Sequence, residues 1–149
     1  MITLAYIDTS AFLKLFLEEG NSAGVAAAAQ GPDELWALRL VLTECRITLE
    51  RARKDGRLTE RDFAAVSESV NDFWDTEIQV LELTEETYLA AERIAMKQPG
   101  LRTLDALHVG AARRMQKDLP QVRVEMLACD NRLLLAAAAA GLATPLPPS

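Results

Sequence analysis

The chain has 149 residues, half of them hydrophobic and 26% charged, with a formal net charge of −6. That length suits one domain with a buried core, and the mixture excludes an intrinsically disordered protein. No run reaches the roughly 20 apolar residues of a membrane-spanning helix, and two cysteines with one histidine exclude a structural zinc site of the usual kind.

Residues 1–7 lack the basic lead of a secretion signal and meet an acid at Asp8, so a cytoplasmic protein is expected, with Cys45 and Cys129 as reduced, buried thiols. Residues 4–7 are a short apolar run suited to a buried strand. Thr9 and Ser10 then lead into an amphipathic helix to about residue 18, closed by Gly20. Residues 22–30 read as an alanine-rich helix, and Gly31-Pro32-Asp33 as a turn.

A second strand is expected over 34–38, then a helix to about residue 54 that stops at Asp55-Gly56. Thr59 and Asp62 have capping-box spacing, with Asp in place of Glu or Gln. They open a helix carrying Phe63, Val66, Val70, Phe73 and Trp74. A third strand over 78–83 precedes a helix over 85–97, which Pro99-Gly100 ends. Thr103 opens a helix to about residue 117, and residues 124–129 form the fourth strand. A helix over 132–140 follows, with Gly141 as its terminator. Residues 142–146 are expected as a last short strand, and about 145–149 as a disordered tail.

Strands joined by helical crossovers imply an α/β fold of three layers: a central, mostly parallel sheet of about five strands flanked by helices, in one domain over 1–149. In such sheets the ligand site lies outside the carboxyl ends of the strands. Four acids gather meaning from that rule. Asp8 follows the first strand and Asp130 the fourth, each also explicable as a helix N-cap. Asp105 sits in the first turn of its helix, where negative charge suits the helix dipole. Glu44 lies at the boundary of the apolar stripe formed by Val41, Leu42, Cys45, Leu49 and Ala52. Singly, each has an ordinary structural explanation. Together at one sheet edge they repel one another unless a hard divalent cation shares their charge, and Mg²⁺ or Mn²⁺ prefers such oxygen ligands.

The acid surplus counts against a nucleic-acid partner, but it is unevenly spread. Residues 39–61 hold seven basic residues against four acidic, and residues 62–98 two against nine.

The runs Tyr6-Ile7-Asp8-Thr9-Ser10-Ala11, Leu42-Thr43-Glu44, Leu104-Asp105-Ala106-Leu107-His108 and Ala128-Cys129-Asp130-Asn131-Arg132-Leu133 resemble PIN-domain ribonucleases, most closely the VapC-type toxins of bacterial toxin–antitoxin pairs. The resemblance spans nearly the whole chain. It implies a PIN-like fold with Asp8, Glu44, Asp105 and Asp130 as the catalytic and metal-binding acids, and Thr9 or Ser10 supporting the first with a hydroxyl. It also implies Mg²⁺ or Mn²⁺ as cofactor, RNA as substrate, a homodimer, and inhibition by a small cognate antitoxin. Cys129 departs from the residue usual before the last acid, without touching that acid.

His108 lies three residues after Asp105 and reads first as a satisfied interior group. Phe63, Phe73 and Trp74 read as core, or as a dimer or antitoxin groove, rather than as stacking platforms for RNA. Arg46, Arg51, Arg53 and Arg57 read as an exposed helix face. Arg102, just before Thr103, is the basic residue expected near Asp105 and a candidate RNA contact.

Alternatives to a toxin are a housekeeping PIN nuclease and a non-catalytic PIN-fold module binding RNA or protein. A phospho-acceptor domain shares the acidic pocket and parallel sheet. It would need a lysine after a late strand, and none follows Asp130, while Ser10 occupies the second position of an Asp-x-Asp pair.

Overall fold

A computed structural model describes residues 1–147. Their elements run β1 (Thr3–Ile7), α1 (Thr9–Lys14), α2 (Ser22–Gln30), β2 (Glu34–Leu38), α3 (Arg39–Lys54), α4 (Glu60–Glu77), β3 (Ile78–Leu81), α5 (Glu85–Lys97), α6 (Thr103–Asp118), β4 (Arg123–Leu127) and α7 (Asn131–Ala139). The strands form one parallel sheet in the order β3-β2-β1-β4.

Alternation along β1 explains the three layers. Leu4 and Tyr6 point into one core with Ala106, Val109 and Met115 of α6 and Leu133 of α7. Ala5 and Ile7 point into the other, with Phe12 of α1, Val25 of α2, Leu49 of α3 and Trp74 of α4. A strand covered on both faces has no solvent side, which is why its sequence is apolar throughout rather than alternating.

Four strands stand where about five were expected. Residues 142–146 contribute a single bridge, Ala143 to Glu125, with Met126 N–H donating to the Ala143 carbonyl at 2.8 Å. Pro145 and Pro147 have no N–H to continue a ladder. The tail expected from residue 145 is also corrected at Leu146, whose side chain is buried in the second core; Pro148 and Ser149 lie outside the described residues.

The first helix is shorter than expected. It ends at Lys14, where Leu15 and Phe16 donate to carbonyls three residues back at 3.1 Å. Leu15, Phe16 and Leu17 still pack on the core, so the apolar pattern outlasts the helix that began it. Two other helices end as the sequence suggests. Gly56 and Gly141 adopt φ of 76° and 85°. In each case the next N–H reaches back five residues, Arg57 to Ala52 and Leu142 to Ala137, the Schellman arrangement that left-handed glycine permits. Thr59 caps α4 by accepting from Asp62 N–H at 3.0 Å.

The aromatic residues fall mainly in the second core. Phe12 contacts Phe16, Phe73 and Trp74 at centroid distances of 5.1–6.0 Å, and the Arg53 guanidinium lies over the Phe63 ring.

Helices α5 and α6 meet at Gly110. A Cβ there would lie 2.9 Å from Ala91 N and 3.1 Å from the Thr87 carbonyl oxygen, both backbone atoms. Gly110→Ala should therefore destabilise the chain by about 1–3 kcal/mol, overpacking outweighing the better helix propensity of alanine. A lowered urea midpoint would show it. An unchanged midpoint would mean the two helices separate without cost.

Candidate active site

The carboxyl ends of β1 and β4 meet at Asp8. Its N–H donates to the Leu127 carbonyl at 3.0 Å, carrying the ladder one step past β1. The next donor on β4's side, Cys129 N–H, turns instead to the Ser10 hydroxyl at 3.0 Å. This ends β4 two residues earlier than expected and leaves residues 128–130 as an irregular link on the sheet edge.

The Asp8 carboxylate is buried. It accepts from Ala11 N–H at 3.0 Å, capping α1, and from the Ser10 hydroxyl at 2.8 and 2.9 Å. Burial pushes it up to about 6, against the pull of the Ala11 and Ser10 donors. Ser10 thus supports Asp8, as one of the two expected hydroxyls. Thr9 does not: its hydroxyl reaches Glu44 Oε1 at 2.8 Å.

Glu44 stands on α3, directly after β2, half-buried. His108 Nε2 lies 2.8 Å from the same Oε1. Burial raises the Glu44 carboxyl, but the hydrogen bonds from His108 and Thr9 outweigh it and hold the group below its ordinary value. Asp105, in the first turn of α6, is raised by burial and next by the charge of Asp130, with Glu44 adding to both. Asp130 caps α7 by accepting from Leu133 N–H at 3.0 Å.

Glu44, Asp105 and Asp130 line one cavity of about 930 Å³, together with Ser10 and Cys129. Asp8 is not on its wall. It lies behind Ser10, close enough that its charge raises the Cys129 thiol, after burial the main influence upward. Lys14, Arg102 and Arg132 are the basic residues of the lining. Arg102 was expected there. Lys14 and Arg132 were not, although Arg132 is only two residues from Asp130.

The other arginines singled out in the sequence are absent from this wall. Arg46 donates to Asn71, Arg53 pairs with Glu50 and Glu60, and Arg57 with Asp55. His108 is an interior group, as expected, with both nitrogens hydrogen-bonded, yet one of its partners is a site carboxylate. Cys45 and Cys129 are both buried, and burial pushes the Cys45 thiol up to about 12.

Among the described residues, no three His, Cys, Asp or Glu side chains already close around one point as a metal cage. The donor set is nonetheless chemically suited to a hard cation. It is carboxylate oxygen throughout, and Asp105 is raised partly by its acidic neighbours, a penalty that a divalent cation removes. Mg²⁺ commonly keeps several waters and takes only one or two carboxylates, so an open wall fits it better than a closed cage would.

A model of the PIN domain matches residues 5–133, a span that contains all four acids. The chain is 34% identical over 109 residues to "Ribonuclease VapC45" of Mycobacterium tuberculosis strain CDC 1551 / Oshkosh, covering 73% of this chain and 74% of that one. The same figures hold for "Ribonuclease VapC49" of strain ATCC 25618 / H37Rv. Among solved structures, PAE2754 from Pyrobaculum aerophilum superposes with a TM-score of 0.64 at 21% identity, covering 97% of this chain and 91% of that chain. That last likeness is one of fold. No helix among the described residues is long and apolar enough to cross a membrane. With the acids on one sheet edge and the family model spanning both ends of the site, the chain belongs to the PIN-domain family.

Proposed function

We propose that the chain is an Mg²⁺- or Mn²⁺-dependent endoribonuclease, the toxin of a toxin–antitoxin pair, in which residues 1–149 act as one domain and Asp8, Glu44, Asp105 and Asp130 are the metal-binding and catalytic acids. The observation that carries this reading is the cavity wall shared by Glu44, Asp105 and Asp130. When bound there, a divalent cation neutralises phosphate charge and activates water for attack on phosphorus. Around it, Asp105 and Asp130 offer oxygens from two helix starts. Ser10 holds Asp8 in place behind the wall, and Lys14, Arg102 and Arg132 offer positive charge to RNA phosphates.

The relatives named as VapC ribonucleases support RNA as the substrate and a small antitoxin as the partner. A homodimer is part of the same reading. A groove floored by Leu15, Phe16, Val66 and Phe73 gives a protein partner apolar surface to cover.

RNA cleavage should require Mg²⁺ or Mn²⁺, stop in excess chelator and return when the metal is restored. Undiminished cleavage in chelator overturns the metal mechanism. Thermal denaturation separates binding from turnover: metal at 100 times its Kd should add about 2.7 kcal/mol of stability. A purely binding module would show no turnover with or without that gain. Expression alone should arrest growth, and co-expression with the genomic neighbour should relieve it through a co-purifying protein.

A further inference from the structure

A buried hydrogen-bonded chain ends on Glu44, and its direction is set by that carboxylate, which can only accept. Leu38 N–H, one residue before α3, can only donate, and it reaches the Tyr6 hydroxyl at 3.3 Å. The ionised Glu44 carboxylate can only accept, so His108 Nε2, which faces its Oε1 at 2.8 Å, carries the ring proton. Nδ1 of the neutral ring is then an acceptor and takes the Tyr6 hydroxyl proton at 2.6 Å. Thr9 also donates to Glu44 Oε1, at 2.8 Å.

Tyr6 and His108 are 0% and 2% exposed, so water does not substitute for either partner. Both donors converge on Oε1, and among the described residues none donates to Oε2. Glu44, which lines the cavity, thus has one oxygen occupied by two protein donors and the other by none of the described residues.

We propose that Tyr6 and His108 are positioning residues that, with Thr9, reserve Oε1 of Glu44 and present Oε2 alone to the cation. This rests on the reading of Glu44 as a metal ligand. The consequence is a preference among metals. A carboxylate offering one oxygen suits the octahedral shell of Mg²⁺ or Mn²⁺, whereas Ca²⁺ readily takes a carboxylate through both oxygens.

The chain has one histidine, so ¹⁵N-histidine labelling of the metal-free protein reports on His108 alone, provided no histidine tag remains. The expected ring is protonated at Nε2, with Nδ1 accepting. A proton on Nδ1 overturns the proposal. Mn²⁺ and Ca²⁺ affinities are then measured by calorimetry for the unmodified chain, Tyr6→Phe, Thr9→Val, His108→Ala, His108→Gln and the Thr9→Val/His108→Ala double variant.

Mn²⁺ binding should weaken about tenfold in each single loss variant, within the range for groups that orient metal ligands. Ca²⁺ binding should weaken less, so that the Mn²⁺ preference falls. His108→Gln, which keeps an N–H donor, should recover part of the loss. The double variant should lose less or more than the product of the singles, because both donors act on one oxygen. Equal losses for both metals with strictly multiplicative effects would show a merely structural role. Thr9→Val leaves the buried Tyr6–His108 pair intact, and so carries the test if Tyr6→Phe fails to fold. An unmodified chain that binds no Mn²⁺ overturns the metal reading, and the positioning role with it. Normal binding in every variant overturns the positioning role alone.

Discussion

Asp105→Asn should lower metal-dependent RNA cleavage by more than about 100-fold, beyond the 10–100-fold typical of groups that only orient a ligand. The substitution is nearly isosteric and removes one charge from the wall that Asp105 shares with Glu44 and Asp130. Its effect on folding should be small. The lost interaction with the start of α6 costs about 0.3–1 kcal/mol, and the repulsion from Asp130 that raises the Asp105 carboxyl is relieved at the same time. The variant should therefore unfold within about 1 kcal/mol of the parent while binding Mn²⁺ more weakly. A cleavage rate within a few-fold of the parent at saturating Mn²⁺ would remove Asp105 from the site.

Asp8→Asn should behave differently: inactive, and more stable than the parent in metal-free buffer at pH 7. The unfolded carboxyl titrates near 3.8 and the folded one near 6. Between those values the folded chain holds the extra proton, so the parent loses stability as pH rises through the window, and the full penalty is present above it. Each pH unit across that window is worth about 1.36 kcal/mol, which makes the whole penalty about 2–3 kcal/mol. Asparagine retains an oxygen for Ala11 N–H and Ser10 while removing the buried charge. The stability gain should shrink as pH falls from 6 towards 4, and added Mn²⁺ should narrow it by stabilising the parent. Chemical denaturation at pH 4 and pH 7 in chelator measures both limbs. A gain that is absent at pH 7, or equal at the two pH values, would show that Asp8 carries no buried-charge penalty.

What the sequence discloses and what it withholds differ by range of interaction. The carboxyl-edge placement of Asp8 and Asp130 is legible because each follows an apolar strand and starts a helix, a local pattern. The Gly56 and Gly141 stops are legible for the same reason. The early end of α1 is not, because Leu15, Phe16 and Leu17 remain apolar after the backbone leaves the helix. Apolarity at 142–146 suggests a fifth strand, but the missing donors of Pro145 and Pro147 prevail over it. Thr9 is adjacent to Asp8 in sequence, whereas its hydrogen-bond partner lies 35 residues away. The link from Tyr6 to His108 spans 102 residues, and no periodicity marks such a pairing.

The bond from Cys129 N–H to Ser10 spans 119 residues, and β1 pairs with β4 at a similar distance along the chain, Thr3 with Arg123. Such contacts fold slowly, since the intervening loop must close before any of them forms. On a ribosome adding about 5–20 residues per second, the helices of the first half emerge well before the strand that completes the sheet edge. Asp8 and Glu44 leave the tunnel without Asp105, Asp130 or the strand beside them. A nuclease built this way is born without its cutting edge, and gains it only once the chain has grown past Asp130.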